Sequence, residues 1–316
     1  MSEIKIADIS LLNFCNFSCE YCIADSVKEK PIVDENGYIK VLDPRYDSRG
    51  NKTPLNAKRN NVPFEDAAFN AWVATQNAHP RGHFLDLNAL TRFARTHLDG
   101  WLLTLSGGEP LLYPKIEEFI KDITTTHKIV LLTNASLLHI KKELFELPKE
   151  RIYYRVGFHP EQRTIESFIH SVDLLKENDT NYIVNYILHP QHIKDGTFQE
   201  YIDVLKYNGY PYEITRFEGT WNNERYSCHL PMKDWEIDII GDYKEYASII
   251  PSDSPGSQFL AITAGGDVFE CHNRRYKMGS VYDNWLHLRA INSPSCFTSK
   301  NVCPSIKANY DIARKM

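Results

Sequence analysis

The sequence predicts an α/β fold: a partial (β/α)6 barrel followed by a small C-terminal β-hairpin/helix extension. Short apolar runs alternate with amphipathic stretches over roughly the first 220 residues, and the alternation stops after about residue 228. Such alternation is typical of β/α units around a parallel sheet. Six predicted strands fit a partial barrel better than a closed barrel of eight units.

Each predicted element is a run of the matching periodicity. The predicted strands are Ile4–Leu12, Trp101–Leu105, Ile129–Thr133, Ile152–Phe158, Tyr182–Leu188 and Tyr212–Phe217. The predicted helices between them are Leu87–Leu98, Ile116–Thr124, Leu137–Leu147, Ile165–Leu175 and Phe198–Leu205. Catalytic groups are expected at the C-terminal ends of the strands, where such sheets bind their ligands.

Two regions interrupt this pattern and suggest the domain organisation. Residues 29–85 are polar and rich in turn signals, and we expect them to form a long insert, for example a lid over the site. Phe259–Thr263 and Val268–Cys271, joined through Gly265 to Asp267, predict a β-hairpin. We therefore expect a core domain over residues 1–225 and an extension over 226–316.

Composition limits the partners and the cellular compartment. The 316 residues carry a net charge of −5, and basic residues are scattered, so no nucleic-acid partner is expected. No apolar run reaches the roughly 18 residues of a membrane span, and no signal peptide is visible. We expect a cytoplasmic protein, in which the seven cysteines serve as metal ligands or catalytic groups rather than disulfides.

Three of these cysteines lie close together directly after the first predicted strand. Cys15, Cys19 and Cys22 have the spacing C-x3-C-x2-C. Three thiolates can hold three irons of a [4Fe–4S] cluster and leave the fourth iron open to another ligand. A zinc site is the first alternative, although structural zinc prefers four ligands and no fourth Cys or His is near in sequence. Three unrelated buried cysteines are the second.

A second motif follows the second predicted strand. Ser106 precedes Gly107, Gly108, Glu109 and Pro110, which together read GGEP. Two glycines let the backbone approach a ligand closely, and Glu109 supplies a carboxylate. The cysteine triplet and GGEP together resemble the radical S-adenosylmethionine (radical SAM) superfamily, over roughly residues 4–220.

The resemblance implies a binding site for S-adenosylmethionine (AdoMet). In that family the open iron chelates the amino and carboxylate groups of AdoMet, and GGEP contacts the amino group. Tyr21, the aromatic residue before the third cysteine, is then expected near the adenine. Asn134 lies in Thr-Asn-Ala-Ser-Leu, which is similar to a looser family motif in which glycine stands at the position of Ala135. The long gap between the cysteines and GGEP is a departure from the family pattern. The AdoMet-site residues implied or predicted are Tyr21, Gly107, Gly108, Glu109, Asn134 and His159.

The other four cysteines predict a second iron–sulfur cluster in the C-terminal extension. The hairpin before Cys271 resembles the G-x4-C hairpin of the twitch and SPASM extensions of that family, and a single-cluster, twitch-like module fits better than the full SPASM pattern. Cys296 and Cys303 lie in turn-rich sequence suited to holding a cluster. Cys228 has three readings: a fourth ligand, a catalytic thiol that donates a hydrogen atom to a substrate radical, or an ordinary buried cysteine.

Further candidates lie at the ends of later strands. His159 and His189 each precede a proline and are expected near the barrel mouth, where they contact AdoMet or substrate or simply close a strand. Arg216 and Glu218 suit a polar ligand or a solvated turn. Glu213, inside a strand, is expected to face solvent or to pair with a helix.

The resemblance implies reductive cleavage of AdoMet to a 5′-deoxyadenosyl radical, which removes a hydrogen atom from the substrate. The favoured substrate is a ribosomally synthesised peptide that is crosslinked, oxidised or epimerised. The alternative is a small polar metabolite such as an aminocyclitol, sugar or nucleotide. A non-catalytic iron–sulfur redox protein is the distant alternative. An electron donor such as a flavodoxin or ferredoxin is the expected partner.

Overall fold

The computed structural model describes the six predicted strands, nearly all of the chain between the second and the sixth of them, part of the region between the first and the second, and part of the C-terminal segment. The described residues are 4–12, 15–17, 19, 32–33, 39–40, 61–62, 85–113, 115–217, 219–226, 233–241, 259–270, 277–288, 312–313 and 315–316. Tyr21, Cys22, Glu218, Cys228, Cys271, Cys296 and Cys303 lie outside them, as does nearly all of the predicted insert.

The described strands form one large sheet and two small ones. In chain order the strands are β1 (Ile6–Leu12), β2 (Ile32–Val33), β3 (Ile39–Lys40), β4 (Asn61–Val62), β5 (Leu102–Gly107), β6 (Lys128–Thr133), β7 (Ile152–Phe158), β8 (Tyr182–Leu188), β9 (Tyr212–Arg216), β10 (Gly219–Trp221), β11 (Glu224–Tyr226), β12 (Phe259–Ile262), β13 (Asp267–Phe269), β14 (Lys277–Ser280) and β15 (Trp285–Leu286). The large sheet has the order β15-β14-β13-β12-β1-β5-β6-β7-β8-β9. Strands β2 to β4 form one small sheet, and β10 and β11 the other.

The central part of the large sheet is parallel, as the alternation predicts. Strands β1, β5, β6, β7, β8 and β9 pair in parallel with one another in chain order. Their C-terminal ends therefore lie along one edge, where the predicted motifs begin. The mixed α/β class with a large parallel sheet is confirmed, while closure into a partial barrel stays a prediction.

Helices connect most of the parallel strands. They are α1 (Leu87–His97), α2 (Ile116–Ile123), α3 (Ile165–Glu177), α4 (Pro190–Asp195), α5 (Thr197–Tyr207) and, after β11, α6 (Asp234–Gly241). Sequence signals explain their starts: the Asp86 carboxylate accepts a hydrogen bond from the Ala89 N–H at 2.7 Å and caps α1. Thr164 caps α3 in the same way.

One predicted helix is wrong. Leu137–Leu147 forms turns followed by a short 3₁₀ helix, Lys142–Glu146. Leu138 and Leu144 are buried on either side of a break at Lys141, and the Tyr154 hydroxyl donates to the Leu144 carbonyl oxygen at 2.9 Å. Tertiary packing against β7 therefore overrides the helical periodicity.

The C-terminal segment contains a β-hairpin at the predicted turn, and this hairpin joins the large sheet. Strands β12 and β13 pair antiparallel through a turn that contains Gly266 at φ +79°. Strand β12 also pairs in parallel with β1, with Ile6 opposite Phe259. The first strand, which leads into the cysteine loop, is thus held between β5 and the C-terminal segment. The assignment of residues 226–316 as a separate module stays a prediction.

The two faces of the large sheet differ in chemistry. One face packs against the helices through a continuous apolar core that includes Leu103, Leu131 and Val156 from the strands and Phe93 and Phe168 from the helices. Burial of side chains of this size stabilises the fold by about 1.5–3 kcal/mol each. The opposite face carries a smaller apolar cluster that includes Ile6, Leu102, Val130 and Ile183, closed by Ile312 near the C-terminus.

The second face also carries polar side chains, and we call it the polar face. The register places Asp8 beside Thr104, and Glu213 beside Asn185. Arg155 forms a buried ion pair with Glu213 across β8, and its guanidinium Nη2 donates to Oδ1 of the Asn185 side chain at 3.4 Å. The prediction that Glu213 faces solvent or a helix is wrong, because the side chain points to the polar face and pairs with a guanidinium there.

In the part of the chain that the structure describes, no helix is long and apolar enough to cross a membrane.

Gly107 ends β5 in a conformation that only glycine adopts readily. Its φ is +128°, and a Cβ at this position would lie 2.3 Å from the Leu12 carbonyl oxygen. The adjacent Gly108 N–H donates to that same carbonyl at 2.7 Å. The first glycine of GGEP is therefore required by the close approach of β5 to the end of β1.

We expect Gly107→Ala to destabilise the protein more than the matched control Gly100→Ala. Gly100 also has a positive φ, of +73°, but nothing lies within 4 Å of its Cβ position. The control should therefore lose only the backbone term, about 1–2 kcal/mol, whereas Gly107→Ala adds a clash with backbone. Urea unfolding of both variants measures the difference, and equal losses would contradict this account.

Candidate active site

The candidate active site lies at the C-terminal ends of β1, β5, β6 and β7, where four separate chain segments meet. Each of these strands is followed by at least one polar or sulfur-containing residue: Cys15 after β1, Glu109 after β5, Asn134 after β6 and His159 after β7. The parallel register brings these segments together although they are far apart in sequence.

Glu109 connects the ends of β5 and β6 through its carboxylate. One oxygen accepts from the Thr133 hydroxyl at 2.7 Å and from the Leu111 N–H at 3.0 Å, and the other accepts from the Asn134 N–H at 2.7 Å. The residue is only 1% exposed. Burial raises the pKa of Glu109 to about 7, although all three hydrogen bonds act to lower it.

The Glu109 carboxylate therefore has a supporting role that the sequence did not indicate. The family resemblance predicts only that Glu109 contacts AdoMet. Its hydrogen bonds show that it also holds the Thr133–Asn134 segment in place. Gly107 and Gly108 lie at the same strand end, beside Leu12 of β1.

The loop after β6 carries the Thr-Asn-Ala-Ser-Leu segment, in which Ala135 stands where the similar family motif has glycine. Ala135 adopts φ +60°, a conformation that favours glycine, and its N–H donates to the Thr133 hydroxyl oxygen at 3.0 Å. The loop thus keeps the shape that glycine would allow at this position. Asn134 is buried within this loop.

Asn134 joins this loop to the cysteine loop. Its side-chain amide donates to Oδ1 of the Asn16 side chain at 2.9 Å and contacts the Cys15 sulfur at 3.8 Å. Asn16 in turn donates to the Ser136 hydroxyl at 2.8 Å. The Phe17 N–H also points to the Cys15 sulfur, at 3.4 Å. Two N–H donors therefore face this sulfur, an environment that stabilises a thiolate.

Cys19 of the cysteine loop is buried against residues at the ends of β9 and β11. It is 8% exposed and packs with Phe217 and Tyr226, which follow β9 and end β11. Its sulfur lies 3.5 Å from Nδ1 of His159. The His159 ring also meets the edge of Phe17 at a centroid distance of 6.0 Å. Burial lowers the pKa of His159 to about 4, so the imidazole is neutral near pH 7.

The thiols of Cys15 and Cys19 are of the ligand type that an iron–sulfur cluster uses. In the described residues, three potential ligand atoms approach within 4.8 Å of one another only at Glu161, His189 and His192. Cys15, Cys19 and His159 do not form such a group, and Cys22, the third predicted ligand, lies outside the described residues. The Cys15 sulfur, which the N–H groups of Phe17 and Asn134 face, suits a thiolate ligand of a cluster.

The histidine group at β8 is held by contacts within the protein. His192 lies between the Tyr186 hydroxyl, at 2.6 Å from Nδ1, and a Glu161 oxygen, at 2.9 Å from Nε2. His189 Nδ1 accepts from the Gln191 N–H at 3.1 Å and caps α4. Because Nδ1 accepts a hydrogen bond, the neutral His189 ring carries its proton on Nε2, which disfavours metal binding there.

Arg216 does not lie in a solvated turn, since it is 7% exposed, and its contact with a polar ligand stays a prediction. The guanidinium forms a bidentate, buried ion pair with Glu236 of α6, at 2.7 and 2.9 Å. It therefore fixes α6 against the end of β9. No local sequence pattern marks this pair, because the two residues lie 20 positions apart in the chain.

Comparisons with known proteins identify the fold. No protein-family model matches the chain, and no curated protein matches it. Among solved structures, native anSMEcpe with bound AdoMet has a TM-score of 0.53 at 12% identity, covering 89% of this chain and 78% of that one. Native anSMEcpe with bound AdoMet and Cp18Cys peptide gives a TM-score of 0.52 at 11% identity, with coverage of 89% and 78%. The chain therefore shares the fold of an AdoMet-binding protein.

BtrN in complex with AdoMet and 2-DOIA is also similar, at 15% identity and a TM-score of 0.39, over 94% of this chain and 85% of that one. A score this low adds nothing to the fold assignment.

We expect the stability contributed at Glu109 to fall as pH rises from about 4.5 to about 7. The folded-state pKa of about 7 lies above the unfolded value of 4.5, so folding favours the protonated carboxyl. This contribution is complete below pH 4.5 and is lost as pH rises through 7, by about 3 kcal/mol in total. Urea unfolding of the wild type and of Glu109→Gln across this pH range measures this contribution as the difference between their free energies of unfolding. A pH-independent difference between the two proteins would contradict it.

Proposed function

We propose that the protein is a radical SAM enzyme that uses AdoMet to abstract a hydrogen atom from its substrate. One observation carries this proposal: the cysteine loop and the GGEP segment meet through Asn134. The Asn134 side chain contacts the Cys15 sulfur, while its backbone N–H binds the Glu109 carboxylate. The two motifs that carry the family resemblance thus share one site, and the fold is that of an AdoMet-bound protein.

Cys15, Cys19 and Cys22 would hold a [4Fe–4S] cluster with one open iron. When bound and reduced, such a cluster supplies the electron that cleaves AdoMet to methionine and a 5′-deoxyadenosyl radical. The chain's contribution near the cluster is to stabilise the thiolates, through the Phe17 and Asn134 donors, and to exclude water at Cys19, through Phe217 and Tyr226.

The GGEP segment would bind the AdoMet amino group beside the open iron. Gly107 and Gly108 bring the backbone close to the end of β1, and Glu109 fixes the segment by three hydrogen bonds. Asn134 and His159 would complete this part of the site, and Tyr21 is proposed to lie against the adenine. A fixed site of this kind holds the reacting groups in one geometry, which is the protein's main contribution to radical chemistry.

A ribosomally synthesised peptide is the favoured substrate. The anSMEcpe structures include one with bound AdoMet and Cp18Cys peptide, so the same fold accommodates a peptide in that protein. The reaction would be a crosslink, an oxidation or an epimerisation. In the last case Cys228 is the proposed hydrogen-atom donor, and otherwise a ligand of the second cluster.

The polar face favours a second candidate, a small polar metabolite such as an aminocyclitol, sugar or nucleotide. Asp8 and the Arg155–Glu213 pair are buried there, and the fully buried Thr104 hydroxyl has no hydrogen-bond partner among the described residues. Buried polar groups are normally satisfied, so an unpaired hydroxyl beside a carboxylate suits a compact, hydrogen-bonding ligand.

The C-terminal segment is proposed to hold a second iron–sulfur cluster through Cys271, Cys296, Cys303 and Cys228. Strand β13 leads directly towards Cys271, and β12 lies against β1, which leads to the first cluster. A flavodoxin or ferredoxin is the proposed electron donor. A non-catalytic iron–sulfur redox protein is the remaining alternative. The GGEP segment beside the thiols argues against it, because an electron carrier needs no segment that binds an amino group there.

Anaerobic incubation with AdoMet and a strong reductant tests the proposed function. We expect the reconstituted wild type to form 5′-deoxyadenosine, and Cys19→Ala to lose one cluster's iron and reduce product to background. His139→Ala, an exposed residue outside the site, is the control and should retain both. A reducible cluster in the wild type without any 5′-deoxyadenosine would favour the redox protein, and bound zinc without iron would favour a zinc site.

A further inference from the structure

The contact between His159 and Cys19 has a chemical consequence that rests on the proposed cluster. The Nδ1 atom of His159 lies 3.5 Å from the Cys19 sulfur, within hydrogen-bonding distance for sulfur. A cysteine that binds iron is a thiolate and carries no proton, so it can only accept. In the loaded protein the proton of this hydrogen bond must therefore lie on Nδ1 of the imidazole.

Gly157 makes room for this contact. A Cβ at Gly157 would lie 2.6 Å from Nε2 and 3.3 Å from Cδ2 of His159, so the ring folds back over the glycine. Phe17 meets the ring at 82°. The ring is thus held from below by β7 and from the side by the cysteine loop, with Nδ1 directed at the sulfur.

The apolar surroundings of Cys19 would lower the reduction potential of the cluster, and a hydrogen-bond donor would offset that effect. Phe217 and Tyr226 cover the sulfur, and Phe17, Trp221 and Trp235 pack around them. Apolar cover disfavours the extra negative charge of a reduced cluster and lowers its reduction potential. A hydrogen bond to a cluster thiolate acts in the opposite direction, because it stabilises the more negative state.

We propose that His159 is a positioning residue that donates a hydrogen bond from Nδ1 to the Cys19 thiolate and thereby raises the reduction potential of the cluster. The sequence predicted that His159 contacts AdoMet or substrate. The geometry instead places its Nδ1 against the sulfur of Cys19, which is the proposed cluster ligand. Its role is to keep the reduction potential of a cluster covered by aromatic side chains high enough for the electron donor to reduce it.

The test is an anaerobic redox titration of the reconstituted protein without AdoMet, followed by electron paramagnetic resonance, with iron measured for each variant. His159→Phe keeps a ring of similar size and removes the donor. We expect its oxidised-to-reduced ratio at a fixed potential to rise about tenfold, a shift of about 59 mV to lower potential. Gly157→Ala displaces the ring without removing the imidazole and should shift the potential in the same direction. His170→Phe, at an exposed position on α3, is the matched control and should leave it unchanged.

Three outcomes would overturn the inference. An unchanged potential in His159→Phe shows that the contact does not affect the cluster. Loss of cluster iron from a folded His159→Phe shows that the imidazole is a ligand or is needed for assembly. A shift in His170→Phe equal to that in His159→Phe shows a non-specific effect.

The result is independent of AdoMet cleavage. An unchanged potential in a variant that still forms 5′-deoxyadenosine contradicts only the role of His159. A wild-type chain that takes up no iron contradicts both the inference and the proposed function.

Discussion

The site depends on one buried carboxylate. Glu109 accepts three hydrogen bonds, from Leu111, Thr133 and Asn134, and so fixes the end of β5 to the end of β6. Through Asn134 the same connection reaches the Cys15 sulfur. Ionising a carboxyl group with almost no exposure is costly, so burial raises the pKa of Glu109 to about 7, and the three hydrogen bonds offset part of that cost. The GGEP motif is therefore a structural element of the site as well as a proposed ligand contact.

Parallel pairing explains why these groups meet at all. The strand ends lie along one edge of the sheet, so residues more than 100 positions apart become neighbours, as Asn16 and Asn134 do. Strand β12 holds the other side of β1, which links the position of the cysteine loop to the C-terminal hairpin. The site is thus assembled from the sheet rather than from any single loop.

The periodicity of the sequence was sufficient for the six parallel strands and for most of the longer helices between them, because each buried element shows its own hydrophobic pattern. It failed at Leu137–Leu147, where contacts with β7 break a helical pattern. It also failed at Glu213, since no local signal marks a partner on a strand two positions away in the sheet. The glycine requirement at Gly107 and the adjacency of the motifs could be anticipated. The contact of His159 with Cys19 could not, because it depends on the fold of a loop against a distant strand.

The central claim is that AdoMet binds the open iron beside the GGEP segment. The most direct measurement is the electron paramagnetic resonance spectrum of the reduced cluster, recorded with and without AdoMet, in a variant whose C-terminal cysteines Cys271, Cys296 and Cys303 are replaced by alanine so that one cluster is observed. The account predicts that AdoMet changes the spectrum, because it becomes a ligand of one iron. An identical spectrum at saturating AdoMet would contradict it.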